Sequence, residues 1–350
     1  MTLENSPQAD DFWEEQGIVV IAEISANHLG NLSRAISLID AAKEAGATYV
    51  KFQHYSPHTI TVKSAHPDFL IKPPSLWAGR RMWDLYEEAM TPWEWTESLV
   101  CKCEDVGIKW LSSPFDETAV DFLEQFDPPI YKVASFEIID IPLIDKIAQT
   151  GKPIILSTGM ATEEEISEAV QAAKNAGSTQ IALLRTSSAY PAPVNEMDLR
   201  AIPYMAEKWG IPVGLSDHTL EHTSAIVATG LGASIFEKHL TLKRSDGGPD
   251  AAFSLEPEEF ADYVAKINDA LSSLGTERLG PSKLEQGSLR FRPSIRAIKD
   301  INQGDLLTPE NVATVRPAGG LHPRTLPELL GRASASPLRA GDPISWNDVE

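Results

Sequence analysis

Two lysines interrupt apolar runs of this sequence, Lys51 in YVKFQ and Lys132 in YKVAS. A lysine inside a buried strand suits two chemistries. Desolvated, it forms a Schiff base with a carbonyl. Charged, beside hydroxyls and backbone N–H groups, it holds a phosphate or a carboxylate. Two histidines, His218 and His239, each close an apolar run. Imidazoles on adjacent strands reach one divalent ion, with a carboxylate and water completing its shell, and the competing reading is a pair of hydrogen-bonded structural histidines. His54, His58, His66 and His322 fall in polar, loop-like contexts where a solvated ring is the default. The string from His218 to His222, HTLEH, matches an inverted zinc-peptidase pattern, but that pattern needs one helix to carry both rings, and His218 closes the strand IPVGLSD.

These residues need a scaffold, and the sequence repeats one. Apolar, β-branched-rich runs recur at Ile18–Ser25, Tyr49–Gln53, Lys109–Ser113, Tyr131–Ser135, Ile154–Thr158, Ile181–Thr186, Val213–Asp217 and Ser234–His239. Helical periods separate them, as in Leu32–Ala45 and in Thr162–Ala176, the latter opened by a Thr162…Glu165 capping box and closed before Gly177. The gap from Tyr55 to Ile108 is twice the usual length and carries an excursion after the second strand. Eight such units predict an α/β fold, a (β/α)8 TIM barrel, with its active face at the C-terminal strand ends. Polar residues gather there: Glu23, Lys51 with Gln53, Ser112 with Ser113, Lys132 with Ser135, Ser157 with Thr158, Ser187, Asp217 with His218, and Glu237 with His239. Strand alternation puts Ile21, Glu23 and Ser25 on one face, as it does Tyr49, Lys51 and Gln53, and Ile235, Glu237 and His239. Lys132 and Ser135 have opposite parity and share a site only if the strand ends or bulges between them.

Composition narrows the function. The 350 residues carry 30 Lys and Arg against 50 Asp and Glu, a net charge of −20. That argues against a nucleic-acid or anionic-membrane surface, and it means that an anion-binding site must be a local positive pocket. No run approaches the roughly eighteen apolar residues of a membrane span, and the acidic opening MTLENSPQADDFWEEQG lacks the signature of a secretory leader. Cys101 and Cys103 are too few for a disulfide framework. The expectation is a cytoplasmic enzyme. Residues 1–271 read as the barrel, 272–292 as a linker without barrel period, and 293–350 as a small module of short strands, marginal alone and expected to dock.

The strings AEISANHLG, VKFQ, SSPF, YKVASFE, ILSTGMAT, YPAP, GLSDHT, EKHLTL and GGPDAAFSLEP occur in this order, followed by VRPAGGLHP in the terminal module. In these motifs the chain resembles the sialic acid synthase family from about Ile18 to its end, with a C-terminal antifreeze-like (SAF) domain. The resemblance implies condensation of phosphoenolpyruvate with an open-chain acylated amino sugar, giving a nine-carbon 2-keto acid and phosphate. SANHLG, the excursion with TIT, SLW and AMTPWEW, FSLEP and RPAGGLHP are similar to the pseudaminic acid synthase branch, as is Ser188 where N-acetylneuraminate synthases usually show Asn. The alternative acceptor is a manno-configured sugar, as in N-acetylneuraminate or legionaminate synthesis. Pro293-Ser294 departs from the Arg-Ser that commonly opens the SAF domain.

The resemblance further implies that Lys51, Ser113, Lys132, Ser135, Ser157, Ser188 and Ser216 line the phosphoenolpyruvate site. Gln53, Tyr190 and Asp250 would contact the sugar, and Glu23 would manage protons. His218 and His239 would hold a divalent metal, manganese or magnesium with cobalt as a third choice. Arg316 would come from the SAF domain of the partner in a domain-swapped homodimer. Two other classes compete: a Schiff-base barrel aldolase using Lys51 or Lys132, and a non-catalytic glycan-binding protein that leaves the strand-end set without purpose.

Overall fold

The computed structural model describes residues 12–350. The opening stretch read for a leader lies largely outside the described residues. Eight parallel strands close into a barrel in sequence order. They are β1 (Val19–Glu23), β2 (Tyr49–His54), β3 (Lys109–Pro114), β4 (Tyr131–Val133), β5 (Ile154–Ser157), β6 (Ile181–Thr186), β7 (Val213–Asp217) and β8 (Ile235–His239). β8 closes the barrel against β1 with Glu23 opposite His239.

Alternation along the strands sorts the apolar residues into two layers. Val19, Ile21, Tyr49, Leu111, Ile155, Leu184 and Ile235 fill the barrel interior. The opposite faces, with Val20, Val50, Leu183, Leu215 and Phe236, pack against the surrounding helices. Interior filling is tight at Gly214 of β7, where a Cβ would lie 2.0 Å from the Ile235 carbonyl oxygen. The helix Glu163–Asn175 opens with the Thr162/Glu165 capping box, and Gly177 follows it at φ 106°. The excursion after β2 carries the helix Met82–Ala89, and the flanking helix Thr96–Val106 follows.

Three local readings change. β1 stops at Glu23 rather than Ser25, because Ser25 takes φ 46° and opens a turn of 3-10 helix. β4 stops at Val133, and Ser135 starts another 3-10 helix. His54 is not solvated: β2 runs one residue further than its apolar pattern, and the fully buried ring meets Ser112 Oγ at 2.7 Å and Thr96 Oγ1 at 2.9 Å. His58, His66 and His322 are exposed.

The chain divides into two compact units, the first ending at Gly275 and the second running from Thr276 to Glu350. In the second, β9 (Ser294–Ala297) pairs antiparallel with β10 (Val312–Val315) over a small core that includes Ile295, Ile301, Leu307, Leu329 and Ile344. Among the described residues no helix is long and apolar enough to cross a membrane.

Candidate active site

The interior faces of the strands change chemistry as they approach their C-terminal ends. On β1 the inward series is Val19, Ile21, Glu23; on β2 it is Tyr49, Lys51, Gln53; on β8 it is Ile235, Glu237, His239. Lys51 Nζ lies 2.5 Å from Glu23 Oε2, 3.1 Å from Glu237 Oε1 and 3.4 Å from Ser113 Oγ. Lys132 Nζ stands 3.6 Å from Glu237 Oε2, and Ser216 donates to Glu237 Oε1 at 3.4 Å. The second Glu23 oxygen accepts from the Ser25 N–H at 2.7 Å, a bond made possible by the turn at Ser25. Glu23, Lys51, Ser113, Lys132, Ser216 and Glu237 are all buried, and Gln53 is half-buried.

Fully ionised, the two lysines and two glutamates sum to zero charge. Burial disfavours each ion, and removing one partner of such a set costs about 3–5 kcal/mol because it strands the other. The groups therefore divide the strain. Burial raises the Glu23 pKa, Lys51 opposes that shift, and Glu237 reinforces it. Burial alone would lower the pKa of Lys51, but Glu23 and Glu237 outweigh it and hold the ammonium charged. Burial would raise the pKa of Glu237, yet Lys132 and Lys51 bring it down to about 2. Burial wins at Lys132, lowering it to about 8 against the pull of Glu237. The arrangement thus offers two cations, one firm carboxylate and one carboxylate disposed to carry a proton.

Beside this cluster is a hydroxyl-lined cradle. Because β4 ends at Val133, the turn brings Ser135 toward the barrel axis despite its parity with respect to Lys132. A Cβ on Gly159 would lie 2.2 Å from Ser188 Oγ and 2.7 Å from Ser135 Oγ, so the glycine leaves that space free. Ser188 Oγ is buried without a hydrogen-bond partner, and Ser157 accepts from Thr186 Oγ1 at 3.3 Å. Buried hydroxyls lacking partners are costly unless a ligand oxygen completes them.

His218 and His239 come together, with ring centroids 5.5 Å apart. His218 Nδ1 lies 2.7 Å from the Ser187 carbonyl oxygen, so it must carry the proton, leaving Nε2 with its lone pair. His239 Nδ1 is buried and unpartnered. Burial lowers His218 to about 4 and drives His239 well down, so both rings are neutral, the form that ligates metal. A neutral imidazole oriented by a carbonyl, as at His218, suits a divalent ion. Among the described residues no group of three or more His, Cys, Asp or Glu is arranged to hold one. Two neutral imidazoles are the donors here, and an ion held by them would take its remaining ligands from water or substrate. The peptidase reading fails on geometry: the helix after β7 starts at Thr223, past both histidines of the string, and His222 faces Asp262 at 3.3 Å.

A cavity of about 530 Å³ opens over these residues. Gln53, Tyr190, Asp250, Ser135 and His239 are among its lining, and Ile60, Ile71, Met82 and Leu85 of the excursion give it an apolar wall. Asp250 is held by the Ser25 hydroxyl and by the Ala26 N–H at 3.2 Å. The Tyr190 ring is tilted against His218, with centroids 4.4 Å apart, and against Phe253 at 5.0 Å, and Trp77 lies 5.6 Å from Tyr190. The Trp77 indole N–H donates to the Pro249 carbonyl at 2.8 Å, tying the excursion to the loop after β8.

Arg316 belongs to the second unit, immediately after β10, and is exposed there. Its loop is braced by Ser294 Oγ and Arg296 Nε, which donate to the Pro317 carbonyl at 2.7 and 3.0 Å. Within the first unit the structure gathers Glu23, Lys51, Ser113, Lys132 and Ser216 in one cluster, Ser135 and Ser188 around Gly159, and Gln53, Tyr190 and Asp250 along the cavity. Three contributors were missed, Glu137, Gly159 and Trp77, and Glu237 was placed at the strand end without a role. Glu237 shares the inward face with His239, so parity alone marked it. Glu137, whose Oε2 is buried without a partner and whose pKa burial raises to about 7, lines the cavity only because β4 ends early. Gly159 and Trp77 carry no local signal.

The NeuB family pattern matches residues 38–278 and the SAF domain pattern residues 292–350. The chain is 39% identical over 343 residues to a pseudaminic acid synthase of Campylobacter jejuni, covering 98% of this chain and 100% of that one. It is 40% identical over 333 residues to a pseudaminic acid synthase of Helicobacter pylori, covering 95% and 97%. The crystal structure of an N-acetylneuraminic acid (sialic acid) synthetase from Leptospira borgpetersenii, in complex with citrate, superposes with a TM-score of 0.69 at 29% identity, covering 83% of this chain and 94% of that one.

Proposed function

The chain belongs to the NeuB family, and from that premise we propose that it condenses phosphoenolpyruvate with 2,4-diacetamido-2,4,6-trideoxy-β-L-altropyranose to give pseudaminic acid and phosphate. One observation carries the reading: Lys51 and Lys132, buried with Glu23 and Glu237, lie near a neutral histidine pair, and His239 of that pair lines a cavity walled by apolar and aromatic side chains. The lysines and the Ser135, Ser157 and Ser188 hydroxyls receive the phosphate and carboxylate of phosphoenolpyruvate, with Ser113 and Ser216 bracing the cations and Glu237. Gln53, Tyr190 and Asp250 orient the open-chain sugar so that its aldehyde carbon faces C3 of phosphoenolpyruvate. That carbon attacks the aldehyde, water adds at the electron-poor C2, and the hemiketal phosphate collapses with C–O cleavage. Glu23 orients the water and takes its proton, a role that burial favours by raising its pKa. His218 and His239 would hold a divalent ion, manganese, magnesium or cobalt, which when bound supplies Lewis-acid polarisation of the aldehyde oxygen.

The names of the Campylobacter and Helicobacter relatives favour the altro-configured acceptor. Phe253 and the apolar wall support it, because they suit a 6-methyl group and a second acetamido methyl. A single methyl accounts for only about 1–3 kcal/mol of discrimination, so hydrogen bonds to the second acetamido group supply the rest. The test is phosphate release with three acceptors: the diacetamido-trideoxy-altrose, its manno-configured counterpart from legionaminate synthesis, and N-acetylmannosamine. The first should show the highest kcat/KM. A higher value with N-acetylmannosamine would reassign the acceptor, and borohydride trapping of Lys132 or Lys51 with substrate would replace the mechanism by Schiff-base chemistry.

The proposed assembly is a homodimer in which Arg316 of each SAF domain completes the neighbour's site, with the barrel over 1–271, a linker over 272–292 and the SAF domain over 293–350. The braced loop after β10 supports it, since a held arginine is suited to bidentate capture of a sugar or carboxylate oxygen. Mixing Arg316→Ala and Lys51→Ala subunits, each inactive alone, should restore activity in a swapped dimer, which holds one intact site. A dead mixture would assign Arg316 to its own barrel. Phosphoenolpyruvate as co-substrate and the acidic composition fit a cytoplasmic enzyme that binds neither nucleic acid nor membrane.

A further inference from the structure

On the outer face of the same strands is a second buried ion pair that the reaction does not use. Lys238 alternates with Glu237 and His239 and so points away from the barrel interior, into the layer that holds Phe236 and Tyr263. It is fully buried, as is Asp217. The two are directly opposite in the register of β7 and β8, and Lys238 Nζ lies 3.0 Å from Asp217 Oδ2. The same ammonium donates to the Thr219 carbonyl and stands 5.3 Å from the centre of the Tyr263 ring. Asp217 Oδ1 accepts from the Thr219 N–H at 2.9 Å and from its hydroxyl at 2.8 Å.

These contacts bracket the histidine pair. His218 is covalently between Asp217 and Thr219, both bound to Lys238, and His239 is the residue after Lys238. We propose that Lys238 is a positioning residue: through Asp217 and the Thr219 backbone it locks β7 to β8 outside the barrel and so fixes the separation of His218 and His239 inside it. The inference rests on reading those histidines as metal ligands. Its physical warrant is that a buried ion pair is seldom the cheapest filling for its space, since apolar residues of similar volume often stabilise a protein equally well or better. A pair retained at that register fixes a geometry. Partners one step behind metal ligands typically change metal affinity 10–100-fold when removed.

The test uses the full chain and Mn²⁺ alone, titrated by the electron paramagnetic resonance signal of free Mn²⁺, with phosphoenolpyruvate affinity measured separately by calorimetry. Lys238→Met strands the Asp217 carboxylate and can fail to fold. The double variant D217N/K238M leaves no unpaired charge, and its amide oxygen can still cap Thr219. In the folded variant the Mn²⁺ dissociation constant should rise 10–100-fold while phosphoenolpyruvate affinity stays within twofold of the parent. Unchanged Mn²⁺ affinity would overturn the proposal and leave Lys238 a structural residue. Parallel loss of both affinities would overturn it too, by showing a general distortion of the barrel mouth. If the parent chain itself bound no Mn²⁺, the histidine reading would fail and take this inference with it.

Discussion

The floor and the mouth of the barrel are built from the same strands at the same parity, two residues apart, and they obey different rules. At the floor, Ile21, Tyr49, Leu111, Ile155 and Ile235 interdigitate so closely that β7 must present a glycine. Each such side chain contributes about 1.5–3 kcal/mol by leaving water. At the mouth, Glu23, Lys51, Lys132 and Glu237 fill the equivalent positions with charges that stabilise one another but gain little over an apolar core. The difference teaches where the molecule's function lies. Stability comes from the floor, and the mouth keeps a neutral cluster of ions whose balance an anionic substrate would upset.

Four changes sharpen or break this contrast, beginning with the largest effect. On the proposal that the histidine pair holds a catalytic ion, excess chelator should abolish turnover while leaving the thermal midpoint of the metal-free chain close to that of His239→Ala, which normal metal concentrations should not rescue. Full activity in chelator would remove the histidine pair from the chemistry.

The same substitution made at two glycines separates the levels more finely. Gly214→Ala drives a Cβ toward the Ile235 backbone and should cost about 1–3 kcal/mol or more. At about 2–4 °C per kcal/mol, calorimetry should show a midpoint lower by several degrees. Gly159→Ala meets the side chains of Ser188 and Ser135 rather than backbone and should lower the midpoint less than Gly214→Ala while phosphoenolpyruvate affinity falls at least tenfold, since both serines must turn aside. Equal midpoints for the two variants would dissolve the distinction.

Lys51→Met should weaken phosphoenolpyruvate binding by about 1.5–3 kcal/mol, the range for hydrogen bonds to charged groups. Unchanged affinity by calorimetry would make this lysine structural. The smallest effect is a pH dependence. Burial holds Lys132 at about 8, below its ordinary 10.5, so it is charged below that pH and neutral above it. Phosphoenolpyruvate affinity should therefore fall as pH rises through about 8, approaching tenfold per unit, whereas Lys132→Arg should stay level. A level profile for the parent would show that Lys132 is not the cation that receives the anion.

Much of this was legible in the sequence because parallel strands are buried on both faces and read as apolar runs, so a lysine or histidine inside one stands out. Parity placed Glu23, Lys51, Gln53, Glu237 and His239 correctly relative to one another. It left Ser135 open, since its position depends on β4 ending at Val133, and the polar context misled at His54, where a strand ran one residue beyond its apolar pattern into partners supplied by Ser112 and Thr96. Trp77 and the apolar cavity wall were not readable, because the excursion after β2 has no period that says which way its side chains face. The Lys238–Asp217 pair needed the register of β7 against β8, which no single strand contains.

The central claim is that the mouth of this barrel binds phosphoenolpyruvate for attack at C2 and not for transfer of its phosphoryl group. Phosphoenolpyruvate carrying ¹⁸O in the bridging position, turned over with the diacetamido acceptor and followed by mass spectrometry of the released phosphate, tests it directly. Cleavage of the C–O bond carries the label into inorganic phosphate, and that is the result expected. Unlabelled phosphate would mean that the P–O bond breaks, and that Glu23 and the lysines serve a different reaction.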